Sequence, residues 1–343
     1  MYAVKIRRIL KFQILQNGYS NISGGNQMKK AMMMGAAVLA VTAMTGNVFA
    51  AGSDFSVSMI TDTAGINDQS FNQSAWEGLQ EFSEETGVEV NYLESKQSSD
   101  YVPNLERLGD NEADLIWSVG FDTADALIEA AESNPDLKYA IVDNSYDDTP
   151  DNVIGVIFKA QEPSFLVGYA AGKTTETDQV GFVGGIENAV IQQFMYGYEA
   201  GVQYAAKELG KEITVNAQYA ESFSDAAKGK AIAFKMFSDG CDIVYQAAGG
   251  TGTGVIEAAK EAGKYAIGVD RDQAYLAPDN VLTSALKKVG KAMGIVSEDV
   301  MNGEDFGGQT LEFGIAEDCV GIPEENPNMD PTVYEDTMKV ADL

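Results

Sequence analysis

A strict alternation of short β-rich runs with helical stretches constrains this chain more than any other feature of its sequence. FSVSMIT (55–61) and VEVNYLE (88–94) have the composition of strands, and SFNQSAWEGLQEFSEETG (70–87) between them has its apolar residues on one helical face. Strands that alternate with helices pair in parallel, and ligands bind at their carboxyl ends. The pattern therefore predicts an α/β fold of parallel sheets flanked by helices.

The same alternation starts again near residue 160. EPSFLVGYAAGK (162–173) is predicted to be a helix that opens a second set of strands and helices. Two such sets predict two lobes with a ligand cleft between them: a first lobe of about 54–159 and 286–343, and a second lobe of about 160–285. No Pro/Gly/Ser-rich linker separates the sets, so we expect several short crossings that act as hinges.

Residues 28–50 have the pattern of a signal peptide. A charged start at Met28 precedes an apolar run that is too short for a transmembrane helix, and Val48-Phe49-Ala50 offers a cleavage site. The mature protein would then comprise 51–343 and work outside the cytoplasm, in the periplasm or at the cell surface. Residues 1–27 are interpreted as an extension produced by a misassigned start codon; the alternative is an extended basic n-region.

The composition argues against several classes of function. The chain has 52 acidic and 23 basic residues and a net charge of -29, so its surface should repel nucleic acid and anionic lipid. It contains no histidine, which excludes a Ser-His-Asp set and a His-ligated zinc site. Its two cysteines, Cys241 and Cys319, cannot form a disulfide framework, although a single bridge between them stays open.

Two glycine-rich stretches resemble phosphate-binding loops without matching them. The glycines of AAGGTGTGV (247–255) do not fit G-x-G-x-x-G, and GYAAGKT (168–174) is one residue short of a Walker loop and lies within a helical pattern. We expect the second stretch to end a helix. The first is interpreted as a loop whose backbone N–H groups approach a neutral ligand.

The loop after the first strand carries polar and aromatic side chains that suit a sugar or a nucleoside. Carboxylates accept hydrogen bonds from hydroxyl groups, and an aromatic ring stacks on a base. The alternative is that Asp68 or Ser70 caps the following helix and Phe71 belongs to the core. The candidates in this loop are Asp62, Asn67, Asp68, Phe71 and Asn72.

The second lobe places further candidates directly after strands. Phe223, Asp270 and Lys287 follow three different strands, and each is open to a structural or a ligand-binding interpretation. Asp270 and Asp272 together could hold a metal or perform acid–base chemistry, but the sequence offers no third ligand beside them. We therefore expect no metal, no cofactor and no catalytic residue.

Taken together, these segments resemble the basic membrane protein (PnrA-like) family of substrate-binding proteins of nucleoside ABC importers. The resemblance runs from about Phe55 to Phe313 and is carried by TDTAGINDQSFNQSAWEGL, VGFDTADA, EPSFLVGYAAG, VGFVGG, FMYGYEAGV, SFSDAAKGK, AAGGTG and GVDRDQAYLAPDNVLTSALKK. It implies a type I periplasmic-binding fold and a monomer without enzymatic activity. It also implies a purine nucleoside of the guanosine, inosine or adenosine class, delivered to an ABC permease and ATPase.

The resemblance also assigns roles to individual residues. Phe71 and Phe223 match two aromatics that sandwich the base, and Phe121 of VGFDTADA is a further candidate, with Asp125 beside it. Asp62 matches a carboxylate that contacts base or ribose, Asp270 the ribose-binding acid, Lys287 a lysine near the ribose and Gly249 a glycine whose backbone approaches the ligand. Asn67 and Asn72 complete the predicted ligand-binding set.

The chain departs from this family in one respect, and two other functions compete with the assignment. Members are typically lipoproteins, whereas no cysteine lies near the predicted cleavage site for a lipid anchor. A sugar or autoinducer receptor of the same fold is the first alternative, and a secreted nucleoside-cleaving enzyme is the second.

The signal-peptide interpretation predicts where the exported protein begins. Cleavage after Ala50 leaves Ala51 as the first residue, because Val48-Phe49-Ala50 has the small-residue pattern that signal peptidase requires. N-terminal sequencing of exported protein should therefore start at Ala51. A cytosolic protein that retains Met28 would contradict the predicted export.

Overall fold

The computed structural model describes residues 55–341, and the predicted signal peptide and its preceding extension lie outside this range. The first of two sheets has the strand order β11–β5–β4–β3–β1–β2, and all its strands are parallel. The strands, numbered in chain order, are β1 (Ser56–Ile60), β2 (Glu89–Leu93), β3 (Leu115–Val119), β4 (Tyr139–Val142), β5 (Val153–Phe158) and β11 (Gln309–Phe313).

The second sheet repeats this design with the strand order β12–β10–β9–β8–β6–β7. Its strands are parallel except for β12, which pairs antiparallel with β10. They are β6 (Gln179–Gly184), β7 (Thr214–Tyr219), β8 (Ile243–Ala247), β9 (Tyr265–Asp270), β10 (Val281–Lys287) and β12 (Val320–Gly321).

Helices connect the strands and cover the sheets. Central strands such as β3 and β4 are buried along their whole length, as expected for parallel strands between two helical layers. The helices of the described chain are α1 (Phe71–Thr86), α2 (Tyr101–Asp110), α3 (Ala124–Ser133), α4 (Gln161–Thr174), α5 (Ala189–Leu209), α6 (Ala226–Ser238), α7 (Gly250–Ala262), α8 (Val289–Met301) and α9 (Pro331–Ala341).

The first helix follows its sequence signals closely. Ala75, Leu79 and Phe82 of α1 are buried on the face that the pattern predicts. Gly87 ends the helix with a φ of 76°, a left-handed backbone that costs glycine little, and its N–H donates to the carbonyl of Ser83. The end of α1 is therefore determined locally.

The predicted two-lobe α/β architecture is confirmed. The chain passes between the lobes three times, at 158–161, 287–289 and 313–320, in short segments as expected. GYAAGKT lies at the end of α4, so its Walker-like pattern is part of a helix, as predicted.

The final segment differs from the predicted lobe boundary. We expected all of 286–343 in the first lobe, but 320–341 pack on the second. β12 pairs with β10 there, and Met329, Val333 and Tyr334 bury their side chains against the core of the second lobe. Short segments of this kind carry too little pattern to reveal which core they cover.

Two further points concern cysteines and membranes. Cys241 and Cys319 are both buried and free, so the bridge that the sequence left open is not formed. Among the described residues, no helix combines the length and the apolar character needed to cross a membrane.

The contact between α1 and α8 predicts a sharp effect of one methyl group. A Cβ added at Gly78 would lie 2.1 Å from the Cα of Gly290, and backbone cannot move aside as a side chain can. Gly78→Ala should therefore lower the free energy of unfolding by roughly 1–3 kcal/mol. Urea unfolding measures this change.

The matched control is Gly294→Ala, one turn further along α8. A Cβ there meets only Phe82, at an ordinary 3.8 Å, so the better helix propensity of alanine should leave stability equal or slightly higher. Equal losses at both positions would contradict the close approach of the two helices.

Candidate functional site

The carboxyl ends of the two sheets face each other across a cavity between the lobes. The cavity is narrow, with a volume of about 50 Å³. The wall is formed by Asp62, Ala64, Asp68, Phe71, Gly120, Phe121, Asp122 and Asp143 of the first lobe and by Val190, Ile191, Phe194, Phe223, Ala247, Ala248, Gly249, Val269, Asp270 and Lys287 of the second.

The loop after β1 holds Asp62 in place from one side. Its Oδ1 accepts hydrogen bonds from the backbone N–H of Ala64 at 2.8 Å and from the Asn72 side-chain amide at 2.9 Å. Asn72 is fully buried, and its own Oδ1 accepts from the Asp62 N–H. Asn72 thus supports Asp62 from behind the cavity wall.

The structure decides between the two candidate caps of α1. The Asp68 carboxylate accepts from the backbone N–H groups of Ser70, Asn72 and Gln73 at 2.8–3.1 Å, so Asp68 caps the helix. The Ser70 side chain instead crosses to the other lobe, where its hydroxyl donates to the Asp270 carboxylate at 2.5 Å. One of the two predicted caps is therefore an interlobe contact.

Three phenylalanines bring aromatic rings to the cavity. The Phe121 and Phe223 rings, one from each lobe, meet edge to face with centroids 6.1 Å apart. Phe71 begins α1, and its ring edge is close enough to Gly120 that a Cβ there would lie 3.4 Å away. A Cβ at Gly185 would fall within 2.1 Å of the Phe223 ring, so a larger residue there would displace the ring.

Glycine also allows the β8–α7 loop to approach the same ring. Gly249 has a φ of 55° and a ψ of −133°, a conformation that side chains disfavour. A Cβ there would lie 3.3 Å from the Phe223 carbonyl oxygen. Gly249 therefore brings backbone close to Phe223 at the cavity wall; that its N–H groups approach a ligand stays a prediction.

A buried lysine lies beside the cavity. Lys287 ends β10, is 2% exposed and forms an ion pair with Asp143, which follows β4 of the other lobe. The ammonium also lies 4.6, 5.3 and 5.5 Å from the ring centroids of Phe71, Phe158 and Phe194. Both lobes therefore contribute to the surroundings of this one cation.

Asp270 and Asp143 share an unusual backbone. Both have a left-handed φ, 64° and 65°, although neither is glycine, and both come at the carboxyl end of a strand. Conformations of this kind concentrate at functional sites. Burial raises the pKa of Asp270 to about 6, against the opposing effects of the Lys287 charge and the Ser70 hydrogen bond.

The pKa of Asp62 is raised further than that of Asp270. Burial is the main cause that raises its pKa to about 7, and the Asp68 charge adds to it, while the hydrogen bond from Ala64 acts in the opposite direction. Burial also raises the pKa of Asp122, a neighbouring residue of the wall. The cavity thus combines aromatic rings with two acids, Asp62 and Asp270, whose raised pKa values let them accept or donate hydrogen bonds near neutral pH.

Seven of the nine predicted ligand-binding residues come together in the cavity wall. The other two lie outside the wall: Asn67 is exposed in the loop, and Asn72 lies behind Asp62. Asp125, the additional candidate beside Phe121, is exposed on α3. The seven are Asp62, Phe71, Phe121, Phe223, Gly249, Asp270 and Lys287.

The sequence analysis missed several members of the wall. Asp143 ends the run KYAIVD and directly follows the strand Tyr139–Val142, the kind of position that singled out Asp62 and Asp270, so the same rule would have found it. Val190, Ile191 and Phe194 lie in the first turns of α5, where a helical pattern cannot reveal which face meets a cleft.

Comparisons with known proteins cover both lobes. A family model described as "ABC transporter substrate-binding protein PnrA-like" matches residues 55–341. Basic membrane protein A of Borreliella burgdorferi is 45% identical over 278 residues, 80% of each chain. The CD4+ T-cell-stimulating antigen of Listeria innocua is 41% identical over 301 residues, 82% of this chain and 83% of the antigen. A solved ABC transporter solute-binding protein from Aeropyrum pernix K1 superposes with a TM-score of 0.74 at 29% identity, over 84% of this chain and 86% of that one.

The raised pKa of Asp62 predicts how stability changes with pH. Between its unfolded value of 3.8 and its folded value of about 7, the folded protein binds more protons than the unfolded chain. The free energy of unfolding therefore falls as pH rises through this window, by roughly 3 kcal/mol from this group between pH 5 and pH 8. Asp62→Asn should remove this fall, so the variant gains stability relative to wild type at pH 8 more than at pH 5. Urea unfolding at both pH values measures the difference.

The matched control is Glu85→Gln on the exposed side of α1. It should change the free energy of unfolding by the same small amount at both pH values. If the stability of wild type and of Asp62→Asn depended on pH to the same extent, the assignment would be contradicted.

Proposed function

The chain belongs to the PnrA-like family of ABC-transporter substrate-binding proteins, and we propose that the ligand it binds between its lobes is a purine nucleoside. The observation that carries the proposal is the composition of the cavity wall: an aromatic ring from each lobe, together with a half-buried carboxylate after β1 and a buried one at the end of β9. A nucleoside has the two matching parts, a flat base and a sugar with hydroxyl groups.

The aromatic part of the wall supports recognition of a base. Stacking a base on an aromatic side chain contributes roughly 1–3 kcal/mol by alanine substitution. Phe121 and Phe223 come from opposite lobes, with Phe71 in the same wall. A base held between such rings would make its binding depend on closure.

The polar part of the wall supports recognition of the ribose. Asp270 is buried and Asp62 is half-buried, and both are held by hydrogen bonds, so an unpaired oxygen of either would be costly. Ribose hydroxyls can satisfy these oxygens, whereas a deoxy sugar or a free base leaves one unpaired. The ammonium of Lys287 adds a nearby positive charge.

The narrow cavity implies that the lobes move on binding. Phe121 and Phe223 are in ring contact at 6.1 Å, and a base stacked between them requires a wider gap. The three crossings between the lobes supply the hinge for such a movement. We infer that the closed complex is the form presented to the ABC permease and ATPase.

The cellular setting belongs to the same proposal. The family model describes a transporter substrate-binding protein, and the signal-peptide pattern of 28–50 places such a protein outside the cytoplasm. We further infer that it binds its ligand without cleaving it, since the family model describes a substrate-binding protein.

The proposal predicts a selective ligand profile. By calorimetry, guanosine, inosine or adenosine should bind at least tenfold more tightly than guanine, ribose or glucose. Phe223→Ala should weaken nucleoside binding by roughly 1–3 kcal/mol through lost stacking, and Asp270→Asn by tenfold or more. Incubation with inosine should release no hypoxanthine.

Asp272→Asn is the matched control, because Asp272 lies two residues from Asp270 and is exposed. It should leave nucleoside affinity within twofold of wild type. Tight glucose or ribose binding without nucleoside binding would instead favour the sugar receptor, and release of hypoxanthine would favour the enzyme.

A further inference from the structure

Direct contacts between the lobes join the start of α1 to the loop that follows β9. These contacts lie beside the cavity and join residues of one lobe directly to residues of the other. We call this group the clasp; it consists of Gln69, Ser70 and Glu77 of the first lobe and Asp270, Arg271, Gln273 and Tyr275 of the second.

The outer part of the clasp is partly exposed. The Arg271 guanidinium pairs with both Glu77 carboxylate oxygens, at 3.0 and 3.2 Å, in a fork geometry. The Tyr275 hydroxyl donates to the Gln69 side chain at 2.6 Å, and the Arg271 guanidinium lies 5.6 Å from the Tyr275 ring centroid. Arg271 and Tyr275 therefore act as one unit of the second lobe.

The inner part of the clasp is buried. The side-chain amide of Gln273 donates to the Gln69 carbonyl at 2.9 Å. Its oxygen accepts from Val269 N–H at 2.9 Å and from the Gln246 amide at 2.7 Å, so Gln273 is fixed within the second lobe. Contacts within the second lobe therefore orient the Gln273 amide group to donate to the first lobe, independently of closure.

The backbone at both ends of the clasp is unusual. Gln69 and Asp270 have left-handed φ values of 58° and 64°. These conformations cost free energy in non-glycine residues and persist where surrounding contacts hold them. Here the holding contacts come partly from the opposite lobe, through Gln273 and Ser70.

We propose that the clasp stabilises the closed form directly, and that Arg271, Gln273 and Tyr275 are positioning residues that determine how long a ligand stays bound. Each contact runs from one lobe to the other, so its free energy favours closure whatever occupies the cavity. Exposed ion pairs contribute little individually, so the clasp should shift the balance of open and closed forms without locking it.

Asp270 connects the clasp to the cavity, because it belongs to both. Its carboxylate accepts from Ser70 across the cleft, and the proposed function assigns the same carboxylate to the ribose; this link alone rests on that function. Closure then orients Asp270 for the ligand. Arg271 and Tyr275 do not line the cavity, so they can act on the ligand only through closure.

The experiment uses the double variant Arg271→Gln/Tyr275→Phe. Nitroxide labels at Glu129→Cys on α3 and Lys260→Cys on α7, both exposed and on different lobes, report the interlobe distance by electron double resonance, since the native cysteines are buried. The variant should shift the distance distribution of ligand-free protein towards longer values. Stopped-flow measurement should show guanosine dissociating about 3–10-fold faster, with association changed less than twofold.

Two controls keep the test specific. Lys230→Gln removes two partly exposed ion pairs within the second lobe, to Glu257 and Glu261, and should alter neither the interlobe distance nor the dissociation rate. The charge swap Glu77→Arg/Arg271→Glu should preserve the closed distribution, whereas Arg271→Glu alone should open it.

The outcomes separate this inference from the proposed function. An unchanged distance distribution in the double variant, or an equal effect of Lys230→Gln, would overturn the clasp. Failure of the wild type to bind guanosine would count against the nucleoside proposal, while the distance measurement would still decide the clasp by itself.

Discussion

The buried ion pair between Lys287 and Asp143 is the interaction on which the arrangement of the lobes depends. Transfer of two charges from water into the interior costs several kcal/mol per ion, and only close pairing offsets that cost. The partners end strands in opposite lobes, next to the crossing at 287–289. Three aromatic rings surround the ammonium and keep water from it. Separation of the lobes at this point would break the pair, so this contact favours the arrangement of the lobes seen here.

The raised pKa values of the cavity acids arise because little positive charge is left to compensate them. Lys287 is largely engaged by Asp143, and the half-buried Asp62 and the buried Asp270 share the same wall, so desolvation raises the pKa of both. Polar groups in this state favour a ligand that supplies hydrogen-bond partners. In the proposed function, the free energy that these acids cost the folded protein favours a ligand with hydroxyl groups.

The proposed coupling of binding to closure rests on contacts that involve both lobes on both sides of the cavity. The ion pair and the aromatic pair Phe121–Phe223 join the lobes at the cavity, and the clasp joins them beside it. A substrate-binding protein must release its ligand to a transporter, so closure has to be stable but reversible. Several weak contacts around one strong pair meet both requirements.

The sequence by itself determined the local structure: the alternation of elements, the end of α1 at Gly87 and the positions directly after strands where Asp62, Phe223 and Asp270 lie. These depend on periodicity, on glycine conformation and on the rule that parallel strands present their carboxyl ends together. Only the tertiary structure decided which lobe 320–341 cover, that Asn72 supports Asp62 from behind, and that Ser70 contacts Asp270 instead of capping its helix. Each of these is a contact between residues far apart in sequence or a choice between two possible helix caps, and local patterns carry no information about the distance that separates such groups in the fold.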